Sequence, residues 1–324
     1  MSNWQRVQEA FGDLETVAGL GASDDLNEWD SSYEGGSALL AELSRPHMAM
    51  ADAEGNIYIA DKEAHAIRKV SGAGIITTVA GTNQSGDAPD QPTVATDGPL
   101  SNPNGLWVLP DATLFILDLG NGKVRKVDEA GVMTTLFSAS SLSVGRGLWV
   151  RDDEAEAFVC SGSSLLQWTE SAGVVDFAGG FVELGMVLRG PDGRIWVGDR
   201  GGHQVWSLSD SGERRHEAGD PSTTRYVDSS SAQEAALNEP RALWPYAGGW
   251  FIGTHAGSQV VFMDDQGITH LFLDGAPNAH AGDGERFDTP GAKVSEVRSL
   301  TMNTTGDLII VESDEGYVRV VKAR

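Results

Sequence analysis

One block recurs six times along the 324 residues: an apolar strand, a turn built on Gly or Asp, a second apolar strand ending in an acid, then a third strand. A repeat of this length outranks any local motif, because each copy buries its apolar faces only by stacking on its neighbours. The clearest copy spans residues 45–81, RPHMAMADAEGNIYIADKEAHAIRKV followed by GIITTVAG. The second starts at Asn102 as NPNGLWVLPDATLFILDLGNGKVRKV, with GVMTTLF behind it. Looser copies start at Gly145 (GRGLWVRDDEAEAFVCSG), Gly185 (GMVLRGPDGRIWVGDRGGHQVWSL), Glu239 (EPRALWPYAGGWFIGTHAGSQVVFM) and Val297 (VRSLTMNTTGDLIIVESDEGYVRVV). The runs are rich in Ile, Val, Leu and aromatics, and a fourth, such as residues 75–79, closes each unit. Four strands per copy predict an all-β fold, a six-bladed β-propeller of four-stranded blades, as one domain over residues 1–324.

The chain ends test this independently. The last copy stops with its third strand at Val320, Val321 and Lys322, and the missing strand lies at the other terminus, where LETVAG at residues 14–19 matches ITTVAG at residues 76–81. A strand over residues 13–19 is therefore expected to close blade six, leaving no free sheet edge and favouring a monomer. Trp4, Val7, Gln8 and Phe11 stand at helical spacing and predict a short amphipathic packing helix over residues 1–12.

The YIAD of residues 58–61, His65, the IRKV of residues 67–70 and the TVAG of residues 78–81 resemble the repeats of the NHL family of six-bladed propellers, and the likeness extends over nearly the whole chain. It is looser in the third copy, where Cys160 and Ser161 replace the acid region, and in the fifth, where Thr254 does. The resemblance implies the fold but no one function, since such propellers include RNA binders, protein-binding modules and relatives with lyase or hydrolase activity. PNG at residues 103–105 is similar to the segment of gluconolactonase-like propellers whose Asn binds a divalent cation, which puts Asn104 forward as a ligand. The same column of the repeat offers His47, Arg146 and Gly185, and arginines repel a cation, so no metal or other cofactor is expected. Amidating lyases of this fold bind metal through three histidines, of which only His47 has a counterpart. Asp24 with Asp25, and DGER at residues 283–286, are too short for calcium loops.

A net charge of −24, from 47 acidic against 23 basic residues, disfavours a nucleic-acid partner. An acidic surface with Lys at only six positions also serves solubility, as in salt-tolerant proteins. The lone Cys160, in the apolar FVC, excludes an internal disulfide and reads as a buried, inert thiol. No apolar window reaches signal-peptide or membrane-spanning length, so a cytoplasmic protein with no membrane partner is expected.

Function is sought where the copies differ. Aligned at the start of the innermost strand, the column reads His47, Asn104, Arg146, Gly185, Arg241, Arg298, which should ring one mouth of the central channel. Arg146, Arg241 and Arg298, with Asn104, offer planar, permanently charged donors to a carboxylate, phosphate or sulfate. His47 is the acid or base candidate, or else a structural hydrogen-bonding residue; Arg200, His255 and Lys62 follow from loops after second strands. The competing expectation is that Asp61, Asp118, Asp199 and Glu312, on the same face, neutralise the arginines. Four long connections, residues 20–45, 82–102, 220–239 and 274–297, and two short ones, residues 138–144 and 180–184, predict an asymmetric cup. Trp29, Tyr33, Tyr226 and Phe287 would line it, with Tyr33 touching substrate, unless the long loops merely cover blades. His65 and His203 occupy a repeat position and are assigned to structure. Two functions fit: an enzyme (lyase, isomerase or hydrolase) acting on an anionic small molecule, or a non-catalytic propeller binding a peptide or protein on its top face. The lack of any RING, coiled-coil or kinase segment in the 324 residues tilts the expectation toward the enzyme.

Overall fold

In the first copy the four apolar runs become strands Pro46–Ala51, Ile57–Asp61, Ala66–Val70 and Ile76–Ala80, paired in that order into one antiparallel sheet. The computed structural model describes residues 2–21, 27–223 and 225–324 and sets six such sheets in a ring, their innermost strands adjoining. Asp24 and Asp25 lie outside the described residues. Second strands such as Ile57–Asp61 and Leu114–Asp118 are buried at every position, because neighbouring blades cover both their faces. That is why they read as continuous apolar runs rather than alternating ones. Near the channel the blades touch backbone to backbone: a Cβ on Gly147 would stand 2.8 Å from the Cα of Met186, and one on Gly105 2.8 Å from the carbonyl of Arg146.

The ring closes as the chain ends suggested. Strand Phe11–Ala18 pairs with Tyr317–Ala323, Leu14 opposite Val321, and completes the sheet of blade six. The helix before it, Asn3–Ala10, starts in a capping box in which Ser2 and Gln5 satisfy each other's backbone N–H groups. It ends sooner than the spacing predicts, because Phe11 turns extended to pair with Ala323 and enters a cluster with Tyr246, Phe251, Phe272 and Phe287.

The acids ending the second strands serve their own blades and not the channel arginines. Asp61, Asp118 and Glu312 each accept the backbone N–H of a serine entering the blade, Ser44 at 2.6 Å, Ser101 at 2.7 Å and Ser295 at 2.9 Å. Each also takes a fully buried arginine of the third strand: Arg68 at 3.0 Å, Arg125 at 3.1 Å and Arg319 at 3.2 Å. Asp199 instead accepts the N–H groups of Val182, Glu183 and Gly202 at 2.9–3.2 Å and so fixes a short connection beside the channel. Neutralisation of the channel ring by these four residues is thereby overturned.

Among their described residues the long connections raise no walls over the cup, which only the end of the first reaches, at Arg45. They run along the outer blade edges, where an unpaired strand would otherwise be exposed. Thr93–Val94 adds a fifth strand to blade two, and Ser230–Ser231 one to blade five. The same loops cover the buried arginines: Asp87 binds Arg125, and Asp283 meets Arg319 at 2.6 Å. Tyr33 is thus removed from the site: it packs edge-on against Trp29, which lies 3.5 Å over the Arg68 guanidinium. Phe287 is buried against Phe272, and Tyr226 is absent from the cup lining as well.

Candidate functional site

The starts of the innermost strands converge as their column predicts. His47, Asn104, Arg146, Gly185, Arg241 and Arg298 line one constriction of 30 Å³, room for about one water molecule. Above it opens a cup of 660 Å³ lined by most of the same residues together with Arg45, Lys62, His255, Glu183 and Asp314. The low walls are the two short connections, where Val144 and Val182 are 59% and 66% exposed. Arg200 stands behind the rim as a bridge, bonded to Glu183 and 3.3 Å from Glu239.

Acids that the repeat pattern did not single out hold the arginines in place. Arg146 reaches Glu183 at 3.0 Å, Arg241 reaches Glu239 at 2.7 Å, and Arg298 reaches Asp314 at 3.0 Å. These acids lie just before an innermost strand or just after a second strand, in stretches where the copies diverge, so no repeated signal marks them. Glu183 and Glu239 are held below the ordinary carboxylate value by arginines, Arg200 chiefly for the first and Arg241 for the second, against the burial that would raise them. Asp314 is held far lower by His255 and Arg298. Charge is not cancelled. Among the described residues Arg45, Lys62, Arg146, Arg200, Arg241 and Arg298 face Glu63, Glu183, Glu239 and Asp314, a local excess of cations in a chain of net charge −24. The Nη1 groups of Arg146 and Arg241 have no protein acceptor among the described residues.

His47 is 7% exposed and bonds through Nδ1 to Oδ1 of Asn104. Burial, then the Arg298 charge, push its pKa well below 6.5, so it stays neutral and does not titrate near pH 7 as the sequence suggests. His255 is also lowered, first by burial. His65 and His203 are structural: each accepts, through Nδ1, a backbone N–H of the next blade, Asn102 and Glu239 respectively, at 3.1 Å. Cys160 is buried, which pushes its thiol pKa up and leaves it inert.

A metal fits poorly. Both polar atoms of Asn104 are engaged, Oδ1 by His47 and Nδ2 by the carbonyl of Gly145. His255, Glu296 and Asp314 bring one ligand atom each within 4.8 Å of one another, but Asp314 is already paired with Arg298 and lies 3.6 Å from Arg45. Glu296 itself is pushed up to about 8 by burial and by the Asp314 charge. Neutral in the fold and ionised in the unfolded chain, it contributes stability that is complete below pH 4.5 and is lost as pH rises to about 8. Glu296→Gln should remove this decline, which has a slope of up to about 1.4 kcal/mol per pH unit. Urea unfolding of both proteins from pH 5 to pH 8 checks it, and parallel pH profiles would show that Glu296 is ionised in the fold.

A separate groove of 660 Å³ opens between blades four and five on the face opposite the cup, over the stacked Trp196 and Trp250. Of its acids, Asp192 and Asp264 are engaged in their own turns, with Trp196 and His270, and Glu217 is paired with Arg215.

The repeats, six blades and closure converge with the comparisons. The family description "Teneurin NHL domain" matches residues 1–96. Over those residues the chain is similar to NHL propellers. Among curated protein sequences none matches it. A Bacteroides thetaiotaomicron protein of unknown function superposes with a TM-score of 0.75 at 13% identity, over 97% of this chain and 76% of that one. An auxiliary nutrient binding protein from Bacteroides ovatus gives 0.70 at 12% identity, over 97% and 77%. A streptogramin B lyase gives 0.62 at 11% identity, over 88% and 96%. At such identities this six-bladed propeller shares their fold alone.

Proposed function

We propose that the protein binds an anionic small molecule in the cup over its channel mouth. The observation that carries this reading is the local reversal of charge: six basic side chains converge on four acids in a chain with 23 basic and 47 acidic residues. Paired arginines are positioned at low entropic cost, and each keeps donors for a second acceptor. The lyase and nutrient-binding propellers of like fold are consistent with a small-molecule site. If the bound anion is turned over, by elimination, isomerisation or hydrolysis, His47 serves as a neutral hydrogen-bond acceptor, and the groups placed for proton transfer are His255 and Glu296 beside Asp314. A second reading, a peptide or protein docked on the top face, draws on the exposed Val144 and Val182 of the low walls.

A thermal-shift series of carboxylates, phosphates and sugar acids tests the first reading. At about a hundred times Kd a native-state ligand adds about 2.7 kcal/mol of stability, a rise of several degrees. The rise should vanish in Arg241→Ala and in Arg298→Ala. No shift with any anion would reject the small-molecule site and leave the docking face.

A further inference from the structure

The constriction holds two groups with opposite needs. Asn104 Nδ2 donates to the carbonyl of Gly145 at 3.0 Å, so its Oδ1 is the atom that faces His47, and it can only accept. Nδ1 of His47 therefore carries the proton, and Nε2 carries a lone pair. That Nε2 is buried without a partner among the described residues, and so is Nε of Arg298. Both side chains line the constriction and the cup. A buried acceptor left unmet carries a desolvation penalty that only a donor relieves. A simple carboxylate offers acceptors alone: it suits Arg298 but turns its own lone pairs toward those of His47.

We propose that the site selects carboxylates bearing a hydrogen-bond donor on the adjacent carbon, 2-hydroxy or 2-amido acids, with the carboxylate on Arg298 and Arg241 and the O–H or N–H donated to Nε2 of His47. This rests on the anion-binding reading above. His47 is then a specificity-determining residue, since a site built to accept a hydrogen bond discriminates against an analogue that lacks the donor. An apolar body on the same carbon would face Val144 at the low wall.

Calorimetry with four acids of one shape is the test. Mandelate carries the hydroxyl and N-acetylphenylglycine the amide, O-methylmandelate keeps the oxygen without its proton, and phenylacetate has neither. The expected result is that one of the first two binds about tenfold more tightly than both of the others, and which one it is names the donor. In His47→Phe the preference should disappear while phenylacetate still binds. Asn104→Ala, which frees the tautomer, should narrow it and serves if the first variant does not fold. Equal affinities for all four acids, abolished in Arg298→Ala, would overturn the donor requirement and leave the anion site standing. No binding of any of them would overturn the donor requirement, and the anion site would fall with it only if the phosphates and sugar acids of the thermal-shift series gave no shift either.

Discussion

Phe11→Ala is expected to cost about 3–5 kcal/mol, the range for emptying a buried aromatic site. Phe11 is fully buried, and its ring meets Tyr246, Phe251, Phe272 and Phe287 at centroid distances of 5.2 to 6.4 Å. Three of these partners belong to blade five or to the edge of its outer strand, while Phe11 itself opens the outer strand of blade six. One side chain thus ties the N-terminal strand to the blade next to the one it completes. Deleting residues 2–18 should do more, because Val7, Leu14 and Ala18 are lost with it and the edge of Tyr317–Ala323 is left unpaired. Urea unfolding followed by tryptophan fluorescence reads both. A loss below about 1 kcal/mol for Phe11→Ala would mean that this side chain does not fasten the N-terminal strand to blade five.

The fold was legible because its signal is repeated. Six copies of one strand pattern average out local ambiguity, and the match between residues 14–19 and 76–81 located the closing strand. The channel column was legible for the same reason: register along an innermost strand fixes which residue reaches the mouth, and six registers agree. What the sequence hid lies where copies differ. Glu183, Glu239 and Asp314 sit in unlike connections, so nothing in the repeat pairs them with Arg146, Arg241 and Arg298. Tyr33 was misplaced because loop length records how much chain joins two blades but not whether it rises over the channel or runs down the outer edge. The clue was the acid each loop carries for a buried arginine, as Asp87 does for Arg125. His47 illustrates another limit, since its residue type indicates titration near neutrality while burial and Arg298 remove it.

The Asp118 to Arg125 pair gives the second large effect, because both partners are fully buried. Asp118→Ala should destabilise the protein by about 3 kcal/mol, the low end of the cost of breaking a buried ion pair, because Arg125 keeps Asp87 as a second counter-ion. The carboxylate also accepts from the Ser101 N–H at 2.7 Å and from Asn121 at 2.8 Å, so the entry to blade two and the turn after its second strand loosen together. Burial raises the Asp118 pKa despite these donors, a sign that desolvation consumes much of what the pair gains. Removing Arg125 as well should therefore recover part of the loss. Recovery stays incomplete, because Arg125 also binds Asp87 and the carbonyl of Ala88 at 3.0 Å, and Thr135 at 2.6 Å, which pins the long connection against the blade edge. A double-mutant cycle of Asp118→Ala and Arg125→Met, read by urea unfolding, should show coupling of at least about 1 kcal/mol. Strict additivity would mean that the two side chains stabilise blade two independently, and the repeated acid would then be anchoring only its own turn.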